Sequence, residues 1–443
     1  MVIDRLQEEI ARLKARLRYQ ERTAKEGPFG SSTPSAKIPL KANAPSENSQ
    51  RRGGAKPGHR GHGRRNIPND EVTQQQTLPG PKHCPYCGGL LDPKGSKART
   101  IIEVDPVRKE VVRYELEQCD CGHCHRTFTA RAPGVFAKGL FGNRLLTHLA
   151  LEHYLQGVTL GHLSARLGVS QGSLWAALHQ LARRLATVPE RLLLEYRHAP
   201  VKHADETGWR TDGHNGYAWL FCTERVSLFR FRQSRSASVA KEVFGTKRLP
   251  GVLVVDRYNG YNQMPCSIQY CYAHLLREVQ DLAKEFPDVS EVSEFVGHFA
   301  PLLAAAMKLR AQGLTASLFG QQALELKLEI KTLVHSPAQH PGVQKIQNIF
   351  HDRATRLYHW AKNSAVPADN NRAERELRPL VIARKISFGS QSEQGALTRE
   401  IIMSVLHTLR KRTQDVFGAF KHALDELAQD EKRDPYKLLL DSS

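Results

Sequence analysis

A chain of 443 residues with 40% hydrophobic content is long enough to bury real cores, as two or three domains. Its 64 Lys and Arg against 45 Asp and Glu leave a formal net charge of +19, which favours a polyanionic partner, with plain colloidal solubility as the alternative. The longest apolar runs, Val252 to Val255 and Phe299 to Met307 with its internal Pro301, are too short to cross a bilayer, and Met1 to Glu9 is too charged for a signal peptide. Neither a membrane nor an export role is expected. Five of the eight cysteines lie between Cys84 and Cys124, which reads as a metal site more than a disulfide framework and implies a reducing cytoplasm.

In chain order, residues 1–24 predict an amphipathic helix. Ile3, Leu6, Ile10, Leu13 and Leu17 form an a/d seam that either pairs two copies or packs on its own chain. Residues 25–78 turn to Gly, Pro, Ser, Asn, Lys and Arg and read as a basic disordered linker. Within it, Arg51 to Arg65 spaces cations with glycines, so Arg60, Arg64 and Arg65 are candidate DNA contacts on a flexible arm; a soluble spacer is the blander reading. Residues 79–130 predict a zinc ribbon. Cys84-Pro85-Tyr86-Cys87 is answered by Cys121-Gly122-His123-Cys124, and tetrahedral Zn2+ takes four thiolates. Cys119 is the spare, or the ligand if Cys121 turns away, and a redox dithiol competes with zinc.

Residues 138–195 predict a helix-turn-helix domain. Leu163 and Leu167, then Gly168-Val169-Ser170, then Leu174, Leu178 and Leu181 give two helices about a tight turn, with Ser170 as N-cap. Gln171, Ser173 and His179 would lie on the exposed side of a recognition helix, although any two helices joined by a short turn look alike.

From His198 the pattern becomes α/β. Val201 to Asp205, Tyr217 to Cys222 and Val226 to Phe231 read as strands, Ser236 to Phe244 as a helix, and Gly251 to Val255 as a buried strand. Asp205 and Asp256 fall at strand ends, where ligands of open sheets gather. Alternation places Val201, His203 and Asp205 on one face, with Glu206 opposite. Further on, Asp369-Asn370-Asn371-Arg372-Ala373-Glu374-Arg375-Glu376-Leu377-Arg378 predicts a charged helix capped by Asp369 and interrupted by Pro379. Its apolar face of Ala373, Leu377, Leu380 and Val381 leaves Glu374 and Glu376 about equally displaced, so periodicity does not choose between them. Three carboxylates in one site suit Mg2+ or Mn2+, which keep positions open for phosphate oxygens and water.

Ala204-Asp205-Glu206-Thr207-Gly208-Trp209, Val255-Asp256-Arg257-Tyr258-Asn259-Gly260-Tyr261, Cys271-Tyr272-Ala273-His274-Leu275-Leu276-Arg277 and Asn370-Asn371-Arg372-Ala373-Glu374-Arg375 resemble the TnpC-type DDE transposases of bacterial insertion sequences, insertion-sequence family sixty-six. The resemblance covers nearly the whole chain, including the arm, the ribbon and the closing Asp434-Pro435-Tyr436. It implies a multidomain α/β protein whose RNase H-like catalytic domain, residues 196–425, carries a helical insertion at about 285–360, with a tail at 426–443. It maps the catalytic, metal-binding carboxylates to Asp205, Asp256 and Glu374, and it alone prefers Glu374 to Glu376. Two Mg2+ or Mn2+ ions would then drive in-line cleavage at element ends and strand transfer into target DNA. His274, Arg277, Arg375, Arg378, Arg384 and Lys385 are candidate phosphate contacts, and Trp209 either stacks on an unpaired base or belongs to the core. Two departures from the family pattern stand out: Cys119 crowds the second knuckle, and Tyr272 and Leu276 stand where Trp and Arg are expected.

The partners implied are DNA, a second copy in a homodimer or higher oligomer, and element-encoded helper proteins, in a bacterial cytoplasm at the nucleoid. Two other classes remain open. One is a sequence-specific DNA-binding regulator with an inactive RNase H-like domain; the other is a metal-dependent nuclease without strand transfer. The terminal repeats, the target preference and the role of residues 285–360 are not legible in the sequence.

Overall fold

A computed structural model describes residues 139–441 continuously, with 109–116, 118–120, 127–129 and 132–137 and the single residues Glu9 and Asp70. Cys84, Cys87, Cys121 and Cys124, with Arg60, Arg64 and Arg65 and the rest of the predicted N-terminal helix and linker, lie outside the described residues. The chain divides into two compact units, Pro39–Val112 and the remainder, and every element named below belongs to the second. β1 (Gln118–Asp120) and β2 (Thr127–Thr129) pair antiparallel.

Four helices follow: α1 (Asn143–Tyr154), α2 (Leu160–Leu167), α3 (Gln171–Arg184) and α4 (Val188–His198). The α2 to α3 turn forms as the sequence specifies. Gly168 ends α2 at φ 58°, and the Ser170 hydroxyl accepts the Ser173 N–H at 3.2 Å to cap α3. Leu163, Leu167, Leu174, Leu178 and Leu181 are buried between the helices.

One five-stranded mixed sheet forms the centre, in the order β5-β4-β3-β6-β7. β3 (Val201–Thr211), β4 (His214–Cys222) and β5 (Ser227–Arg232) are antiparallel; β6 (Val252–Val255) runs parallel to β3, and β7 (Ser267–Tyr270) parallel to β6. β3 and β4 are longer than their apolar cores predict because Asp212-Gly213, both at positive φ, makes a tight two-residue hairpin that carries residues 206–211 into the ladder. Before β6, Gly251 passes so close to Pro200 that any Cβ would strike its carbonyl oxygen. Only glycine lets β6 lie beside β3 there. α5 (Ala237–Phe244) links β5 to β6.

The long interval after β7 is helical, with α6 (Tyr272–Glu285), α7 (Ser290–Leu309), α8 (Ala316–His335), α9 (Pro341–Asp352) and the short α10 (His359–Lys362). Phe295, Phe299, Leu303, Phe350 and Trp360 are buried in this group. α11 (Asn371–Ser387) then returns across the sheet. Pro379 does not interrupt it: the ring removes one backbone donor, while Ala373, Leu377 and Leu380 are buried on either side of it and hold the helix in place. Asn370 is the N-cap, and Asp369 acts one position earlier, its carboxylate accepting the Asn371 N–H at 3.0 Å.

α12 (Glu393–Arg412) is buried along most of its length and covers the edge strand β5; α13 (Val416–Gln429) packs beyond it. Alternate β5 amides that have no strand neighbour are taken by α12 side chains at successive turns. Ser227 N–H donates to Thr408 Oγ1 at 3.0 Å, Phe229 N–H to Ser404 Oγ at 2.9 Å and Phe231 N–H to Glu400 Oε2 at 3.0 Å. Helices α1 to α4 share one continuous core with the sheet. At that junction the buried Arg399 donates to His153 Nε2 at 3.1 Å and lies over the rings of Tyr154 and Trp209. Among the described residues no helix is long and apolar enough to cross a membrane.

Candidate active site

The β3/β6 register pairs His203 with Val254. Continued two residues, it sets Asp205 opposite Asp256, just past the end of β6, on neighbouring strands that lie about 4.8 Å apart. Each aspartate accepts a nearby backbone N–H: Asp205 Oδ1, within β3, that of Glu206 at 2.9 Å, and Asp256 Oδ1, in the turn after β6, that of Tyr258 at 3.0 Å.

Glu374 reaches the same place from the first turn of α11. Three bonds of the buried Asn370 set that helix start: its Oδ1 meets His203 Nδ1 at 2.9 Å, its Nδ2 donates to the Ala204 carbonyl at 2.9 Å, and its N–H donates to Cys271 Sγ at 3.1 Å. The Tyr272 N–H donates to the Ala368 carbonyl at 2.8 Å, tying the start of α6 to the same approach. Asn370 stood in the motif without a role, and only its burial and its three partners reveal one. Tyr272, the departure from the expected Trp, is a buried ring edge-on to Trp360, and its hydroxyl donates to the Leu357 carbonyl at 2.6 Å.

The charges of this cluster act on one another. Burial, then Glu206, then Asp256 push the Asp205 carboxyl well above the usual carboxylate range, with Glu374 adding to the effect. Glu206, on the opposite face of β3, is pushed up to about 7 by burial and by Asp256. It is countered by Arg235, whose Nε and Nη2 lie 2.8 and 2.7 Å from Oε1, and by the Tyr261 hydroxyl at 2.6 Å from Oε2. Carboxylates crowded together in this way repel one another and raise the cost of their shared charge. The donors are hard oxygens, the set that suits Mg2+ or Mn2+.

His274 and Arg277, on α6, both meet Glu374. His274 Nδ1 lies 3.8 Å and Arg277 Nη2 3.4 Å from its Oε1. Glu376 is turned away, with Oε2 accepting from Ser227 Oγ at 2.8 Å and Oε1 paired with Lys411 at 2.7 Å. The structure thus separates two glutamates that periodicity left equivalent.

The remaining candidates are dispersed. Trp209 is 1% exposed, edge-on to Phe231 with its Nε1–H on Ser390 Oγ, so it belongs to the core and offers no face to a base. His179 is half-buried, stacked on Trp175 and bonded to Thr398 Oγ1 at 2.6 Å, which gives it to the contact with α12; Gln171 and Ser173 are exposed on α3. Arg384 is engaged with Thr207 and with the Gly208 carbonyl. Arg375, Arg378 and Lys385 are exposed along α11.

A family profile described as "Transposase IS66 family" matches residues 138–398, more than half of the chain. The chain belongs to the IS66 transposase family. Three relatives come from Sinorhizobium fredii (strain NBRC 101917 / NGR234). Uncharacterized protein y4qI is 24% identical over 351 residues, covering 68% of this chain and 62% of its own length. Uncharacterized protein y4jD is 22% identical over 397 residues, 79% and 75% of the two chains, and uncharacterized protein y4hP 20% over 422 residues, 85% and 76%. The chain thus spans less than two thirds of the first relative's length. The IS66 match covers α1 to α11, and with them both aspartates, Glu374, His274 and Arg277.

Proposed function

We propose that this IS66-family chain is a DDE transposase whose five-stranded sheet is an RNase H-like catalytic domain, cutting DNA at element ends and joining the freed 3′ end to target DNA. The observation that carries the reading is the convergence of Asp205 from within β3, Asp256 from the end of the adjacent parallel β6 and Glu374 from a facing helix, with the electrostatic coupling that proximity brings.

Asp205, Asp256 and Glu374 are the residues that hold the divalent cations. Bound there, Mg2+ or Mn2+ supplies Lewis-acid stabilisation of phosphoryl oxygens and a more acidic nucleophile. The chain's own part is to fix the donors. Asn370 clamps the start of α11 against β3, and Arg277 offsets the charge of Glu374 while leaving the carboxylate partly open. Arg375 and Arg378, exposed on the same helix, meet the phosphates flanking the cut. Exposed Gln171 and Ser173 on α3, the basic arm with Arg60, Arg64 and Arg65, and a zinc ribbon on Cys84, Cys87, Cys121 and Cys124 supply DNA contacts away from the chemistry. A homodimer or higher assembly brings two ends together, with helper proteins of the element as further partners.

The test is nicking of DNA bearing the element's own terminal repeats. Wild type with Mg2+ or Mn2+ is expected to nick, and Asp256→Ala to bind the same ends without nicking. Tight binding by the wild type, with no metal-dependent cut on correct ends, would replace this reading with that of a DNA-binding regulator.

A further inference from the structure

We propose that His274 is a metal ligand, its Nδ1 joining Glu374 on one cation, so that the site is a mixed nitrogen and oxygen site and not an all-carboxylate one. The inference rests on the carboxylate reading above and adds to it a residue outside the DDE set. It comes from three observations on α6 and α11. First, the ligating atoms of Cys271, His274 and Glu374 all lie within 4.8 Å of one another, the one such cluster among the described residues. Second, His274 Nδ1 is shut off from solvent and has no hydrogen-bond partner. A buried polar atom left so is costly unless something else fills its need. Third, its 3.8 Å separation from Glu374 Oε1 is too long for a hydrogen bond. It is ordinary for two donors on one ion, each about 2.0–2.2 Å from it and so up to about 4.2 Å apart.

Cys271 does not complete the set. Its sulfur is fully buried and already accepts the Asn370 N–H, and thiol sulfur is a soft donor beside hard oxygens. Asp256 lies close enough to act electrostatically on His274. One imidazole among carboxylates tilts the site toward Mn2+ and later transition ions over Mg2+.

The experiment measures metal and not turnover. Full-length wild type, His274→Ala, His274→Lys, Cys271→Ser, Asp256→Asn and Glu374→Gln are titrated with Mn2+ and with Mg2+ in the absence of DNA, with thermal unfolding to confirm that each is folded. Pulsed electron paramagnetic resonance of the Mn2+-loaded proteins reads nitrogen at the ion. We expect a nitrogen-14 modulation in wild type and Cys271→Ser that is lost in His274→Ala, and about a ten-fold or greater loss of Mn2+ affinity with a smaller loss for Mg2+. His274→Lys, which keeps a cation beside Glu374 but cannot ligate, should bind as weakly as His274→Ala. If His274→Lys restores Mn2+ binding, His274 is only a charge partner and the proposal falls. It falls equally if His274→Ala binds as wild type while Asp256→Asn and Glu374→Gln lose the ion, and in that case the carboxylate reading survives. Unchanged binding in all three would sink both.

Discussion

Two positions apart on α11, Glu374 faces His274 and Arg277 while Glu376 is held by Ser227 and Lys411. The two should therefore fail differently. Glu374→Gln is expected to lose DNA nicking with little change in thermal unfolding. Glu376→Gln, which breaks a half-buried charge-assisted pair, is expected to keep nicking and lose about 1–3 kcal/mol of stability by denaturant titration. The sequence offered both glutamates because a helical wheel reports only distance from the apolar face, and the residues that distinguish them come from β5 and α12, far along the chain. Asp256 was legible because the apolar run Val252 to Val255 ends at it, whereas Asp205, expected at a strand end, lies within β3, which the Asp212-Gly213 hairpin extends to Thr211. Trp209 was ambiguous for the opposite reason: an aromatic next to a motif reads the same whether it points in or out, and Phe231 and Ser390 decide that it points in.

At the same scale, His153 is locked neutral. Its Nδ1–H donates to the Val158 carbonyl at 2.8 Å and its Nε2 accepts from Arg399. Burial, then the Arg399 charge, lower it from 6.5 to about 3. A folded pKa below the unfolded one means that the unfolded chain takes up the extra proton, so this contribution is present above about pH 6.5 and is lost as pH falls toward 3. The stability gap between wild type and His153→Asn should narrow as pH is lowered below 6.5, by up to about 1.4 kcal/mol per pH unit. A gap that stays constant between pH 7.5 and 5 would contradict the assignment.

At the scale of elements, the turn between α2 and α3 and the buried β6 were readable because capping and apolar runs are local signals. β7 was not: its four residues Ser267–Tyr270 include Gln269, a buried polar side chain whose amide is satisfied by the Tyr270 and Leu357 carbonyls. No sequence window contains those partners. The cover of β5 by α12 is a second long-range element with a measurable weight. Thr408→Val leaves the Ser227 N–H without its acceptor and is expected to cost about 1–3 kcal/mol, read by chemical denaturation, with end binding unchanged.

At the scale of the whole molecule, the proposed cation site at Asp205, Asp256 and Glu374 would couple ion binding to stability. An ion that binds the folded state alone stabilises it by about 2.7 kcal/mol at one hundred times its Kd. Adding Mn2+ to chelator-treated protein should therefore raise the unfolding temperature, and Asp256→Asn should be at least as stable as wild type in chelator while gaining nothing from Mn2+. An equal metal-induced rise in both proteins would place the ion elsewhere.

The side chains that occupy the outer amides of β5 are Glu400, Ser404 and Thr408, made well after Glu374 and beyond residue 398, where the family match stops. A ribosome thus finishes every proposed catalytic residue while one margin of the sheet is still bare. A polypeptide ended at Ser392 would hold Asp205, Asp256 and Glu374, yet its unpaired strand would be free to recruit strands from neighbouring chains. Such a product is expected in the insoluble fraction, which makes the last stretch of translation, and not the arrival of the final carboxylate, the step that commits a copy to usefulness.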